Sequence, residues 1–213
     1  MPPANIGPGE FFPVIGVGPH PKPWPTENHF DPELLENGDR RNVLDHYRYW
    51  SVEAIVADLN TKRHKLQIAI ENWQHDLNIG SIVRTANAFN VSGVHIVGKR
   101  DWNKRGAMVT DRYLTVQHHA TIADFKSWSE SSGVPIIGID NVPGSQHLES
   151  AQLPESCVLL FGQEGAGMSD EGIAACEVLY AIEQYGSTRS MNASAAGAIA
   201  MYHWALQHLP RKN

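Results

Sequence analysis

Three short stretches gather the side chains of this chain that can do chemistry. In HDLNIGSIVRTANAFN, Asn78 precedes Arg84 by six residues. The amide can cap the helix that follows, and a guanidinium inside an otherwise apolar helical run offers a fork of donors to an anion. In LLFGQEGAGMSDE, an apolar run ends at Gly162, and Glu164 stands before Gly165 and Gly167. Glycines let backbone amides and carbonyls approach a ligand with no Cβ in the way, while Ser169 caps the next helix with Glu171 in its first turn. In IEQYGSTRSMNASAAG, a polar loop passes through Gln184, Gly186 and Arg189 to Ser190 and Asn192, at the mouth of a helix built from Ala and Gly. Ser190 reads as the N-cap of that helix, which would begin at Ser190 or Met191. A cap alone leaves Asn192 and the small-residue run unexplained. No Gly-Lys-Ser/Thr follows the glycines, so P-loop hydrolysis of a triphosphate has no support. The His118–His119 pair and the His203/His208 spacing lack the i, i+4 arrangement of a metal site, and none is expected.

The elements around these stretches alternate. LQIAIENW (66–73), GVHIVG (93–98), VPIIGID (134–140), CVLLFG (157–162) and VLYAI (178–182) read as short apolar strands. Between and after them fall helices at 80–90, at 121–131 with Thr121 as cap, at 169–177, and from 190 onward. Strands alternating with helices define an α/β domain with a mostly parallel sheet flanked by helices. Ligands of such sheets bind beyond the carboxyl ends of the strands, where all three stretches fall. Upstream, nine of the thirteen prolines lie in residues 1–32. PHPKPWP forbids helix and resists sheet, because each Pro lacks an N–H and restrains its predecessor. Three regions follow: a Pro-rich arm (1–40), a helical lead-in (41–65) with apolar residues near helical spacing, and the α/β domain (66–213).

A chain of 213 residues with 42% hydrophobic content can bury a sizeable core. Its two cysteines, Cys157 and Cys176, sit apart in apolar or helical contexts and read as reduced thiols. No basic start with a long apolar run follows the N-terminus, and no segment is long enough for a membrane helix, so a cytoplasmic protein is expected. The formal charge of −6 argues against a generic nucleic-acid binder, but it hides a partition. Residues 1–39 carry one Lys and six acids, residues 40–112 twelve Lys and Arg against seven acids, and residues 113–213 four against ten. Arg40–Arg41, Lys62–Arg63, Lys99–Arg100 and Lys104–Arg105 in the middle third could face phosphates.

Together the three stretches resemble the SpoU branch, also called TrmH-like, of the SPOUT RNA 2'-O-ribose methyltransferases. Asn78, Gly80 and Arg84 match its first motif, LLFGQEGAGMS its second, and Ser190-x-Asn192 before a small-residue helix its third. The likeness covers roughly 66–208. Two positions depart from it: Glu183 stands where the family usually has Pro after Ile182, and Ala193 where Val often follows the Asn.

The resemblance implies a trefoil-knotted α/β domain, S-adenosylmethionine as cofactor, a homodimer, and transfer or ribosomal RNA as substrate. It places Gly162, Ile182, Gln184, Met191 and Asn141 at the cofactor, and Asn78, Arg84, Glu164, Ser190 and Asn192 in the catalytic cluster. It also implies that the small residues from Ala193 to Ala200 pack against knot loops and partner. Two other readings are a non-catalytic RNA-binding or assembly protein on the same fold and a methyltransferase acting on a base.

Overall fold

The computed structural model describes residues 16–74 and 78–210; the first fifteen residues of the expected arm lie outside them. The chain divides into two compact units, one up to Asp58 and one from Leu59 onward.

The first unit is organised by a buried carboxylate. Asp39 Oδ1 accepts from Arg41 Nε at 2.9 Å, while Oδ2 accepts from Arg41 Nη2 at 2.7 Å and from the Tyr49 amide at 3.0 Å. Burial alone would raise the Asp39 pKa, but the Arg41 and backbone hydrogen bonds outweigh it and hold the carboxyl below its ordinary value. Residues 16–31 carry no helix and no strand beyond isolated bridges, as the prolines dictate. A short helix that the periodicity does not announce, α1 (Pro32–Asn37), starts on Asp31, whose Oδ1 accepts from Glu33 N at 2.9 Å. The helical lead-in holds one 3-10 turn (Asp45–Tyr47) and α2 (Val52–Asn60).

The second unit is a seven-stranded sheet with every neighbouring pair parallel, in the order β3-β2-β1-β6-β4-β7-β5. The strands are β1 (His64–Asn72), β2 (Val91–Gly98), β3 (Val116–His119), β4 (Ile136–Ile139), β5 (Gln146–His147), β6 (Cys157–Phe161) and β7 (Val178–Ala181). Five of them fall on the apolar runs read from the sequence. β3 and β5 escape that reading because VQHH and QH have no apolar run and pair at or near the sheet edges. The helices are α3 (Asn78–Ala88), α4 (Ile122–Ser132), α5 (Asp170–Ala175) and α6 (Ala193–His208). Alternation divides the core: Leu66, Ile68 and Ile70 of β1 pack with Ile79, Ile82 and Val83 of α3 and Met201 and Trp204 of α6. Ala69, Val158 and Leu160 meet Phe125 of α4 and Ile173 of α5 on the other face. Thr121 closes a capping box with Asp124, as the sequence suggests. Both cysteines are free thiols that burial pushes up to about 12.

Two histidines are buried between β2, β3 and α4. His95 Nε2 lies 2.9 Å from Gln67 Oε1, and His95 Nδ1 lies 2.9 Å from His119 Nε2. With the Gln67 oxygen accepting, His95 carries its proton on Nε2 and accepts at Nδ1 from His119. Burial, reinforced by His119, lowers the pKa of His95 from 6.5 to about 3, and burial lowers that of His119 as well. A histidine held neutral contributes stability that is present above the unfolded pKa and lost as pH falls from 6.5 toward 3. By about pH 4.5 the loss from His95 alone should be on the order of 2–3 kcal/mol. Melting of wild type and His95→Phe at neutral pH and near that value checks this. The variant, less stable throughout, should show the shallower pH dependence, and parallel curves would exclude His95 as the acid-labile group.

Candidate active site

The carboxyl ends of β4, β6 and β7 open into a cavity of about 370 Å³ whose walls are the three loops that follow these strands. Ile139, Phe161, Ile182 and Met191 give it apolar surface; Asp140, Asn141, Gln184 and Arg189 give it polar groups. Its size and mixed lining suit an adenosyl-sized ligand. Every residue that the resemblance places at the cofactor, Asn141, Gly162, Ile182, Gln184 and Met191, lines this cavity, as do Glu164, Ser190 and Asn192. Gly162 is required there sterically, because a Cβ would stand 2.2 Å from the Met168 amide nitrogen.

At the cavity rim three residues far apart in sequence close a ring of hydrogen bonds. Asn78 Nδ2 donates to Glu164 Oε2, and Asn192 Nδ2 donates both to Asn78 Oδ1 at 2.8 Å and to Glu164 Oε1 at 3.2 Å. The amide of Asn78, the first residue of α3, thus turns toward Glu164 and Asn192. Asn192 has a second task, because its Oδ1 accepts from Ser194 N at 3.0 Å and Ala195 N at 3.3 Å. It is the N-cap of α6, which starts at Ala193. The expectation that Ser190 caps a helix starting at Ser190 or Met191 is therefore corrected. Both residues lie in the preceding loop, and the exposed Ser190 faces the cavity.

Arg84 is not brought to this ring. Six residues beyond Asn78, it sits about 9 Å along α3 and about 240° around it. It is exposed, does not line the cavity, and has no hydrogen-bond or ion-pair partner among the described residues. The small residues of α6 serve more than one surface. Gly197 is buried, and a Cβ added there would lie 3.5 Å from Ile82 of α3, while Ala196 lines the cavity.

Two residues missed in the sequence hold the loops together. Asp140, at the end of β4, accepts the Met168 amide on Oδ2 and the Asn141 amide on Oδ1, both at 2.7 Å. Asn141 Nδ2 then donates to the Arg189 carbonyl at 2.6 Å, so one dipeptide ties the second and third loops to the first. Gln163 joins the Gly-rich loop to β1, accepting on Oε1 from the Trp73 amide at 3.1 Å. A carboxylate at a strand's carboxyl end was the available signal for Asp140. Beneath the loop, Glu71 is wholly buried and accepts from Ser169 N at 2.8 Å and Ser169 Oγ at 2.5 Å. Burial raises its pKa, against the opposing Ser169 bonds. Asp140→Ala should weaken binding of S-adenosylmethionine about tenfold by freeing the Met168 amide. Titration calorimetry reads this directly, and unchanged affinity would show that the loops keep their shape without the carboxylate.

The basic pairs also separate. Arg41 is committed to Asp39, and Arg63 to Asn60, Asn90 and the Tyr113 carbonyl. Lys104 pairs with Asp111 at 3.0 Å. Lys99, Arg100 and Arg105 remain exposed, with side chains not engaged in any hydrogen bond or ion pair among the described residues.

Comparison with known proteins identifies the architecture. The A. aeolicus TrmH/SpoU tRNA modifying enzyme superposes with a TM-score of 0.64 at 22% identity, covering 73% of this chain and 83% of that one. The SpoU methyltransferase AviRb of Streptomyces viridochromogenes, in complex with AdoMet, gives 0.63 at 23% identity over 71% and 64% of the two chains. These likenesses show a shared α/β fold with a mostly parallel sheet. Residues 65–202 match the SpoU rRNA Methylase family, and the chain belongs to it. Among relatives, the tRNA (guanosine(18)-2'-O)-methyltransferase of Borreliella burgdorferi is 26% identical over 147 residues, 68% of this chain and 67% of that protein. The chain spans about two thirds of the length of the curated relatives it matches first. No helix among the described residues is long and apolar enough to cross a membrane, and no three or more His, Cys, Asp or Glu side chains among them cluster as metal ligands.

Proposed function

We propose that this chain is an RNA methyltransferase that uses S-adenosylmethionine to methylate a ribose 2'-hydroxyl of transfer or ribosomal RNA. The observation that carries the reading is the Asn78–Glu164–Asn192 ring at the rim of the three-loop cavity. Gly162, Ile182, Gln184, Met191 and Asn141 would hold the cofactor, against apolar walls for an adenine and backbone groups for its polar edge. S-adenosylmethionine supplies an electrophilic sulfonium methyl when bound. Reaction requires the ribose oxygen in line with that methyl and relieved of its proton.

A guanidinium stays protonated in proteins, so Arg84, exposed on α3 outside the ring, serves as an anchor for RNA phosphate and not as a base. Glu164 and Asn78, locked together, orient the groups at the rim, and Ser190 stands free beside them for the ribose. Glu183, where the family usually has Pro, spends its own backbone amide on Glu149 Oε1 at 3.0 Å and accepts from Tyr185 on its side chain. The departure from Pro is thereby accommodated locally, outside the ring. Lys99, Arg100 and Arg105 are the RNA-facing cations. The same family membership supports a trefoil knot, a homodimer and, with two free thiols, a cytoplasmic location.

The test is direct. Purified protein is incubated with methyl-labelled S-adenosylmethionine and transfer or ribosomal RNA from cells lacking it, and the RNA is digested to nucleosides. Label in 2'-O-methyl nucleosides is expected. Label on a base, or none in either RNA, overturns the reading.

A further inference from the structure

A second cavity, of about 720 Å³, opens between the first turns of α4 and one side of α5, with Trp73, Ile122, Ala174 and Ala175 in its walls and Lys126 and Glu171 beside them. It lies at the same edge of the sheet as the cofactor cavity, since Trp73 directly follows β1 and Thr121 closely follows β3. Consecutive residues line the two cavities: Met168 the first, Ser169 the second. Gln163, which lines the first, holds the backbone of Trp73.

The chemistry of the second cavity differs from that of the first. It is mostly apolar, with an indole in its wall, and its charge is at the mouth. Lys126 is exposed, and the loop carrying the exposed Lys99 and Arg100 is fixed alongside, because Asn72 Nδ2 donates to the carbonyls of Lys99 at 2.8 Å and Asp101 at 2.9 Å. An aromatic face with cations around it is the combination by which proteins take unpaired nucleotides: the ring stacks on a base of any identity, and the cations meet the phosphates. Glu171 adds an acceptor for the amino or imino groups of a base.

We infer that this cavity receives an unpaired base of the RNA near the methylated nucleotide, stacked against Trp73. The inference rests on the RNA reading above. The base gains a site tied through Gln163 to the cofactor loop, so the RNA is gripped beside the reacting ribose as well as at it.

Equilibrium binding of labelled bulk transfer RNA and bulk ribosomal RNA tests the subsite without turnover. Trp73→Ala should raise the Kd for RNA about tenfold, and Trp73→Phe should bind within about threefold of wild type, because a phenyl ring still stacks. Ala174→Trp, an enlargement at an exposed position, should plug the cavity and also raise the Kd about tenfold. S-adenosylmethionine affinity should stay unchanged in all three. If Trp73→Ala does not fold, Ala174→Trp decides alone. Wild-type affinity for RNA in both Trp73→Ala and Ala174→Trp overturns the subsite while leaving methylation by the wild type to stand. A wild-type protein that neither binds nor methylates either RNA removes the RNA reading and the subsite together.

Discussion

Arg84→Ala is expected to lower kcat for RNA methylation by about 10²-fold, through loss of RNA positioning, while leaving S-adenosylmethionine affinity within about twofold of wild type. The two halves of that expectation have separate physical grounds. Arg84 lies outside the cofactor cavity and makes no hydrogen bond or ion pair with any described residue, so its removal should leave cofactor binding intact. It is exposed on α3, where Ala is at least as good a helix former, so stability should change by no more than about 0.5 kcal/mol. The loss must then appear in the RNA-bound state, where a guanidinium can meet phosphate. Arg84→Lys should recover part of the activity, because the charge is kept and the bidentate fork is not. The salt dependence of RNA binding should flatten in the Ala variant. Near-normal methylation by Arg84→Ala would remove this residue from the mechanism.

How much of this was legible in the sequence depends on what each residue answers to. The five strands with apolar runs, the Thr121 cap and the three loops could be read because each answers to a local rule of period, cap or breaker. The residues assigned to the cofactor all reached one cavity for the same reason: each follows a strand, and parallel sheets gather those ends. What could not be read is set by tertiary contacts. Asn192 rather than Ser190 caps α6, because its amide can serve the helix with oxygen and the ring with nitrogen at once. Asp140 looked like an ordinary strand end until the Met168 amide was found on it. Arg63 looked like half of a phosphate-facing pair, yet three parts of its own unit hold it. Composition counts a half-buried, committed cation the same as an exposed one.

The small-residue helix answers to two surfaces, and its outer one carries the other large prediction. Gly197, Ala200, Met201 and Trp204 turn inward. Ala195, Ile199, Tyr202 and Leu206 turn outward at spacings of four, three and four, and the last three are 42%, 57% and 54% exposed. That spacing is the seam by which helices pair, and a continuous apolar stripe on a monomer surface is costly in water. A second copy of the chain is the occupant we expect. Ile199→Asp combined with Leu206→Asp should therefore halve the mass measured by light scattering, since four charges would be brought to a two-fold seam. Neither position belongs to the cavity or the buried core, so the monomer should remain folded and bind S-adenosylmethionine within a few-fold of wild type. Methylation should fall by at least about tenfold, because Asn192 caps this same helix and the ring loses the rigidity that the pairing gives it. A wild-type protein that is monomeric, or a double variant that keeps its mass, would show that the stripe serves some other surface. A monomeric variant with full activity would show instead that one chain holds the whole site, and that the seam and the chemistry are independent.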